Sequence, residues 1–251
     1  TNPQTGDRLL VNGSAAASGS IGAINWTRTD SLVTFSGTAT KAQYEAAFRL
    51  VTFENTTDAP STVSRIVNSV VNDGTSNSNT AVTTITVVAA DDAPVNTLPA
   101  SFTTNEDVSL QLTGLSVADP DAGTGSITVT LGVNSGTLAA VSGGSVTVGG
   151  SGTGSLTLTG TLANINAYLA SASAPTFSPV ANASGAVTLT MTTNDNGNTG
   201  PGGPLTDVDT STITVVAVND TPTVTAPATL SVVEDNSLTI TGITFADIDA
   251  G

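Results

Sequence analysis

One stretch occurs twice in this chain, and no other feature limits the possible folds as strongly. Residues 84–94 read TITVVAADDAP and residues 212–222 read TITVVAVNDTP, an offset of 128 (212 − 84). Three pairs of acidic residues share this offset: Glu106 and Glu234, Asp119 and Asp247, Asp121 and Asp249. Self-similarity at a fixed period indicates tandem copies of one folded unit. Each copy combines an apolar strand, a short acidic linker, a Glu and an Asp-x-Asp.

The segments between the acidic stretches alternate Val, Ile and Thr, with Gly, Asn and Asp between them, which is typical of strands and turns. Across the second copy the pattern predicts short strands at 100–104, 108–114, 126–133, 145–149, 155–160, 186–193 and 211–218. Helical turns are expected only at 41–53 and 162–170. Parallel strands need crossover connections, usually helices, so a parallel α/β fold is not expected. We therefore predict an all-β fold of tandem β-sandwiches with Greek-key connections.

The repeat also divides the chain. Residues 1–94 correspond to the C-terminal part of one repeat, residues 95–222 to a complete repeat, and residues 223–251 to the opening strands of the next. Gly251 stands at the position equivalent to Gly123, so we expect the chain to be a window on a longer array. We also expect residues 228–245 to complete the sheets of residues 1–94 in a neighbouring copy, either along one continuous chain or between separate molecules, because unpaired sheet edges are a liability in water.

Charged residues are unevenly distributed along the chain. All five basic residues lie in residues 1–65 with five acids, so the other fifteen acids (20 − 5) share their part of the chain with no Lys or Arg. Fourteen of these fifteen fall into two clusters, at 91–121 and 195–249. Carboxylates concentrated without a counter-charge repel one another. A hard cation is therefore the natural partner of both clusters.

Composition excludes several classes of partner. The net charge is −15, which argues against binding to nucleic acid or to anionic membranes. The chain has no Cys and no His, so thiolate and imidazole metal sites are excluded. No apolar run approaches the ~18 residues of a membrane span, so we expect no membrane insertion.

Several segments resemble a known family. SLTLTGTLANINAYLAS with NDNGNTGPGG, and VTFSGTATKAQYEAAFRLVTFENTTDAPST with VNDGTSNSNTAVTTITV, resemble the cadherin-like tandem repeats of large bacterial surface proteins and adhesins. The linker at 219–222, Glu106 and the Asp-Pro-Asp at 119–121 resemble the calcium motifs of cadherins. The resemblance covers essentially the whole chain. It implies cadherin- or immunoglobulin-like sandwiches at the cell surface, with Ca²⁺ bound at the joints between repeats.

Calcium takes about six to eight oxygen ligands, largely carboxylates and carbonyls. In a seven-strand sandwich, the linker after the last strand meets the Asp-x-Asp loop and the final-hairpin loop of the following domain. The Glu turn of the preceding domain meets the linker from the other side. One joint is therefore predicted to gather Asp91, Asp92, Asp119, Asp121 and Asp195. The next is predicted to gather Glu106, Asn219, Asp220, Asp247 and Asp249, and a neighbouring repeat would supply the missing ligand of each.

A competing interpretation is that these Asp-x-Asp and Asn-Asp pairs only stabilise turns. The repeated spacing and the lack of counter-charges favour a metal site. The site is not an EF-hand, because the twelfth loop position counted from Asp119 is Thr130 rather than Glu. Asp207 and Asp209 are either further ligands or solvated loop residues, and Asp73 is a weaker candidate in an NDG turn.

The sequence contains no nucleophile–base pair, phosphate loop or cofactor motif, so we do not expect an enzyme. We expect a calcium-stiffened structural repeat of an extracellular bacterial adhesin or surface fibre, whose partners are neighbouring repeats in a head-to-tail array or filament. Two alternatives stay open. One is a self-assembling filament or coat subunit completed by strand exchange. The other is a module that binds a surface glycan or ice through Thr-x-Thr pairs such as Thr128 and Thr130.

Overall fold

The computed structural model describes residues 2–249, and within that range almost all regular structure is β. The all-β prediction is confirmed, with two short helices and mostly antiparallel sheets among the described residues. The chain divides into two compact units. The first unit comprises Thr1–Ala93, Asp119–Gly125 and Asp195–Leu205. The second unit comprises Pro94–Ala118, Ser126–Asn194 and Thr206–Gly251.

The first unit contains short antiparallel strands and one helix. In chain order these are β1 (Asp7–Val11), β2 (Ser18–Ile21), β3 (Ile24–Thr29), β4 (Leu32–Ser36), α1 (Lys41–Phe48), β5 (Val51–Asn55), β6 (Arg65–Ser69) and β7 (Ala81–Ile85). Strand β1 pairs with β5, β6 pairs with β7, and β2, β3 and β4 form a three-stranded sheet. The helical segment expected at 41–53 ends at Phe48, because Val51 pairs with Val11 and starts strand β5.

A small core holds the first unit together. Val11, Ile24 and Ala47 are at most 1% exposed. Trp26, the only Trp of the chain, is 6% exposed and stacks over Gly19, where a Cβ would come within 2.6 Å of the indole. The indole therefore reports on the packing of this unit.

A buried ion pair ties β1 to β6. The guanidinium of Arg65 donates to both carboxylate oxygens of Asp7, from Nε at 2.9 Å and from Nη2 at 3.0 Å, and both side chains are 3% exposed. The hydrogen bond from Arg65 lowers the pKa of Asp7 to about 2, with further help from Asn55. A bidentate pair of this kind satisfies both buried charges.

The second unit is larger, and most of its strands are those expected from the sequence. In chain order its elements are β8 (Val95–Thr97), β9 (Ser101–Asn105), β10 (Leu110–Gln111), β11 (Ser116–Ala118), β12 (Ser126–Val133), β13 (Thr137–Ala139), β14 (Thr147–Gly149), β15 (Ser155–Thr161), α2 (Leu162–Leu169), β16 (Thr176–Ser178), β17 (Gly185–Asn194), β18 (Thr206–Val216), β19 (Thr223–Thr225) and β20 (Thr244–Ala246). The three-residue strands β8, β11, β13 and β16 were not expected. They are too short to show a period of two in the sequence.

Two sheets dominate the second unit. The larger has the order β14-β15-β12-β17-β18-β9, and the smaller has the order β10-β16-β13. Strand β9 runs parallel to β18, with Ser101 opposite Thr212 and Asn105 opposite Val216. Strand β10 runs antiparallel to β16, with Leu110 opposite Phe177.

Strand alternation builds the core of this unit. Along β12, Ile127, Val129 and Leu131 are fully buried, while the threonines between them face the other side of the sheet. Leu138 and Phe177 of the smaller sheet are fully buried as well. Because side chains alternate across a strand, one face is apolar and the other is rich in threonine.

The 128-residue repeat recurs in backbone geometry. Strand β8 pairs with β11 in the register Val95 to Ala118, and β19 pairs with β20 in the register Thr223 to Ala246. Each pair lies 128 residues from its counterpart. The left-handed turn glycines match too: Gly114 at φ +77° lies against Pro99, and Gly242 at φ +78° lies against Pro227. The repeat is therefore a structural repeat as well as a sequence repeat.

Candidate metal centres

The predicted acids assemble in two places. We call Asp91, Asp92, Asp119, Asp121 and Asp195 the first acidic cluster, and all of its members belong to the first unit. We call Glu106, Asp107, Asp220, Asp247 and Asp249 the second acidic cluster, and all of its members belong to the second unit. Each cluster therefore lies within one unit.

A turn presents the Asp-x-Asp of the first acidic cluster. The Oδ1 atom of Asp119 accepts the backbone N–H groups of Asp121 at 3.1 Å and of Ala122 at 2.9 Å. Asp121 in turn accepts the backbone N–H of Asp92 on its Oδ2, at 3.2 Å. One oxygen of Asp119 therefore stabilises a turn, as the competing interpretation of the Asp-x-Asp expects. Its second oxygen remains available to a ligand.

Asp195 directly follows β17 and is fixed in a similar way. Its Oδ1 atom accepts the backbone N–H groups of Gly197 and Leu205, both at 2.8 Å. The loop between them crosses Asp91, because a Cβ on Gly200 would come within 2.5 Å of the Asp91 backbone nitrogen. Gly200 also has φ +132°, a conformation that other residues rarely adopt. The glycines of this loop therefore allow it to cover the cluster.

The first acidic cluster contains five buried carboxylate oxygens that have no hydrogen-bond partner. These are Oδ1 and Oδ2 of Asp91, Oδ2 of Asp119, Oδ1 of Asp121 and Oδ2 of Asp195. The side chains are deeply placed, since Asp119, Asp121 and Asp195 are 9%, 4% and 1% exposed. Buried polar atoms in proteins are nearly always paired, and unpaired buried charges are costly. Five such oxygens could serve as ligands of a cation.

No basic side chain compensates these charges. Within residues 2–249 the ion pairs join Arg8 to Glu54, Arg28 to Asp30, Lys41 to Glu45 and Arg65 to Asp7. None of them involves a member of either cluster. The carboxylates therefore face one another without a protein counter-ion.

This electrostatic conflict appears in the pKa values. Burial raises the pKa of Asp91, and the neighbouring charges of Asp195, Asp121 and Asp92 add to the rise. Burial and the hydrogen bond with Asp121 raise the pKa of Asp119 to about 6. Both shifts have the direction expected when acids are crowded in a poorly solvated space. A bound divalent cation would reverse them.

The second acidic cluster repeats the same backbone contacts 128 residues later. The N–H of Asp220 donates to Oδ2 of Asp249, as that of Asp92 does to Asp121. The N–H of Asp249 donates to Oδ1 of Asp247 at 3.0 Å, as that of Asp121 does to Asp119. The shared linker and Asp-x-Asp therefore form the same substructure twice.

Three carboxylates of the second acidic cluster converge closely. Glu106, Asp220 and Asp249 bring ligand oxygens within 4.8 Å of one another, and no other three acids of residues 2–249 do so. Since calcium–oxygen distances are about 2.3–2.6 Å, oxygens on opposite sides of an ion lie about 5 Å apart. The triad therefore matches the size of one ion. The carboxylates of the first acidic cluster are more deeply buried but further apart.

The second acidic cluster differs from the first in exposure. Glu106 is 5% exposed and accepts the N–H of Val218 on Oε1 at 2.6 Å, whereas Asp249 is exposed. Burial raises the pKa of Asp220, followed by the charges of Asp249, Glu106, Asp107 and Asp247. The site is open on the side of the Asp-x-Asp.

Asp107 and Asn182 belong to this cluster and were not predicted. The N–H of Asn182 donates to Oδ1 of Asp107 at 3.0 Å. With its amide nitrogen turned toward the acids, Asn182 also donates to Oδ2 of Asp107 and of Asp220, each at 3.2 Å. The sequence signal for Asp107 was its position beside Glu106. Asn182 comes close only through the fold and carries no such signal.

The remaining candidates have other contacts. The side-chain amide of Asn219 donates to the Asp220 carbonyl at 2.9 Å. Asp207 accepts the N–H of Asn96 on Oδ2 at 2.7 Å, which attaches β8 to β18. Asp73 accepts the N–H groups of Thr75 and Ser76, both at 2.8 Å. Asp209 is exposed on β18. Asp207 therefore stabilises the contact between two strands, and Asp73 stabilises a turn.

The sequence matches no known protein family, and no curated protein is significantly similar to it. Neither helix of the described residues is both long and apolar enough to cross a lipid bilayer. The acidic clusters are therefore the features of this chain that indicate a function.

Proposed function

We propose that this chain is a calcium-stiffened structural repeat of an extracellular bacterial adhesin or surface fibre and has no catalytic role. The observation that carries the proposal is the set of five unpaired carboxylate oxygens in the first acidic cluster. Calcium suits them because it prefers many oxygen ligands and tolerates irregular geometry. Magnesium needs near-octahedral geometry at about 2.1 Å and retains its water ligands.

The stiffening mechanism follows from which segments supply the ligands. A cation in the first acidic cluster would join the linker at 91–92 to the loops at 119–121 and 195. The second acidic cluster would join the linker at 219–220 to Glu106 and to the loop at 247–249. In a tandem array of Greek-key sandwiches, such bridges would limit bending between successive repeats. Adhesion and location at the cell surface are part of this proposal through the cadherin-like resemblance.

The direct test is calcium titration of the whole chain by calorimetry, paired with melting in chelator. Extracellular calcium modules bind at about 10⁻⁴–10⁻³ M, and at ten times Kd each site adds about 1.4 kcal/mol to the free energy of unfolding. The informative variant is Asp195→Asn, which keeps the Oδ1 acceptor for Gly197 and Leu205 and removes one unpaired charge. Asp209→Asn, on an exposed strand position, is the matched control.

The expected result is loss of one binding event in Asp195→Asn and none in Asp209→Asn. The other joint is tested with Glu106→Gln, which should remove the second event. A melting temperature that does not change between calcium and chelator would contradict the proposal.

A second candidate function, contact with ice or a surface glycan, is favoured by the threonine-rich face of the larger sheet. Across this face Thr128 lies opposite Thr159, and Thr130 lies between Thr157 and Thr192. Neighbouring strands lie about 4.8 Å apart, so the hydroxyl and methyl groups form a regular array. Inhibition of ice recrystallisation, or retention on a glycan column, would support this function if Thr130→Lys abolishes it.

A further inference from the structure

One carboxylate closes the loop that follows β17. Oδ1 of Asp195 accepts the backbone N–H groups of Gly197 and Leu205, both at 2.8 Å, so a single oxygen holds both ends of residues 196–204. The other oxygen, Oδ2, is buried and has no hydrogen-bond partner, and Asp195 is 1% exposed. The carboxylate that would bind a cation in the first acidic cluster therefore also holds this loop in place.

The backbone of the loop is strained. Asn196 has φ +60° and Thr199 has φ +67°, and a positive φ is uncommon outside glycine and costly for a β-branched residue. The loop also crosses Asp91 at Gly200, and the charges of Asp91 and Asp195 repel each other. Without a cation, both strain and repulsion favour opening of the loop.

The loop begins with an Asn–Gly pair. Because glycine has no Cβ, its backbone nitrogen can approach the side chain of the preceding residue closely. Proximity of this kind favours attack of the nitrogen on the side-chain amide of Asn196, which is exposed. In the closed loop the hydrogen bond from Gly197 to Asp195 fixes this nitrogen and retains its proton. Opening of the loop releases the nitrogen for reaction.

We propose that Asn196 is a deamidation site whose reaction is blocked when a cation occupies the first acidic cluster. The backbone nitrogen of Gly197 bonds to Cγ of Asn196 as the bond from Cγ to Nδ2 breaks, and ammonia leaves with the proton of the Gly197 amide. Water then opens the cyclic imide to aspartate or isoaspartate. This inference rests on the proposed calcium function, because the cation is what keeps the loop closed.

The reaction also changes the site. Isoaspartate inserts an additional carbon into the backbone between Asp195 and Gly197. The N–H of Gly197 is then displaced from Oδ1 of Asp195, and the loop no longer closes over the cluster. Since ammonia is lost, the change is permanent. A chain kept without calcium therefore loses calcium affinity at the first acidic cluster and does not regain it when calcium returns.

The calcium dependence of the rate has a calculable size. The reaction proceeds from the open loop, whereas the cation binds the closed loop. At ten times Kd, calcium should therefore slow the conversion of Asn196 about tenfold, and at a hundred times Kd about a hundredfold.

The experiment follows both Asn–Gly pairs of the whole chain by peptide mass spectrometry during incubation in calcium or in chelator. The other pair, Asn12 and Gly13, is exposed and lies outside the cluster, so it is an internal control. Conversion of Asn196 should be at least about tenfold faster in chelator than in calcium at ten times Kd. Conversion of Asn12 should be equally fast in both.

Two variants connect the rate to the ion. Asp195→Asn keeps the Oδ1 acceptor for Gly197 and Leu205 and removes the unpaired charge, so calcium should no longer slow the conversion of Asn196. Asp209→Asn, at an exposed strand position, should retain the full calcium dependence.

Calorimetry on the same samples separates this inference from the proposed function. If calcium binds but Asn196 converts equally fast or faster in calcium, the deamidation inference is overturned and the calcium function stands. The inference is also overturned if Asn196 stays unchanged in chelator while Asn12 converts. If no calcium binds, the proposed function fails and the inference fails with it.

Discussion

Asp119 provides a test in which a proton, a calcium ion or a mutation can each relieve the same unpaired buried charge. Its pKa is about 6 in the folded protein against 3.8 for an unperturbed Asp. The folded state therefore binds this proton more tightly than the unfolded state does. Without metal, stability from this group is fully present below about pH 4 and is lost as the pH rises through about 6. A difference of about two pKa units corresponds to about 3 kcal/mol.

The variant Asp119→Asn separates charge from geometry. Asparagine keeps the Oδ1 acceptor for the N–H groups of Asp121 and Ala122. It replaces the unpaired Oδ2 by an amide that can donate to a neighbouring carboxylate. In chelator near neutral pH, Asp119→Asn should therefore be more stable than the parent by up to about 3 kcal/mol. In calcium the difference in stability between variant and parent should become smaller or change sign, because only the parent gains binding energy.

The assay is urea unfolding followed by the fluorescence of Trp26, which is the only Trp and is packed in the first unit. Parent and variant are compared in chelator and in calcium, at about pH 4 and about pH 7, either side of the transition. The reasoning is refuted if the metal-free parent is equally stable at both pH values. A variant less stable than the parent in chelator would refute it as well.

Three further predictions concern other parts of the molecule. Asp7→Asn removes the ion pair with Arg65 and should lower the free energy of unfolding by about 2–3 kcal/mol near neutral pH. In the parent the same contribution should be lost as the pH falls from about 4 to about 2, and Trp fluorescence during unfolding measures both effects. The double variant Asp220→Asn with Asp247→Asn should show a wider spread of particle dimensions than the parent in small-angle scattering in calcium, with an unchanged circular dichroism spectrum. Loss of the β signal in circular dichroism would instead mean that these acids stabilise the fold. Gly200→Ala should weaken calcium binding without unfolding the chain, since a Cβ there would meet backbone atoms at 2.5 Å, and calorimetry would show no change if the loop position were unimportant.

The sequence predicted those features that depend on local pattern or on the repeat. Strand alternation located the long strands β12, β15, β17 and β18. The 128-residue offset related the Asp-x-Asp at 119–121 to that at 247–249, and their backbone contacts match. The absence of counter-charges also pointed to the acids that are left unpaired.

Features that depend on tertiary register were not predictable in the same way. Asn182 reaches Asp107 and Asp220 only because the loop before β17 passes over them. Asp207 has the same sequence character as the cluster acids, yet it accepts a backbone N–H from β8. Single residues of this kind have no periodic signal, since their partners lie far away in sequence.

The distance in sequence between the unpaired aspartates has a consequence for folding kinetics. Asp91 and Asp195 are separated by 104 positions (195 − 91), so the unfolded chain contains no preformed site. Closing so long a loop has a large entropy cost, which slows folding. The chain incurs this cost on the way to the transition state, before the ligands that would hold an ion have assembled. Contacts that form after the transition state slow unfolding and leave the folding rate nearly unchanged. Calcium should therefore lower the unfolding rate of this chain, and so lengthen the lifetime of the native state, without raising the folding rate.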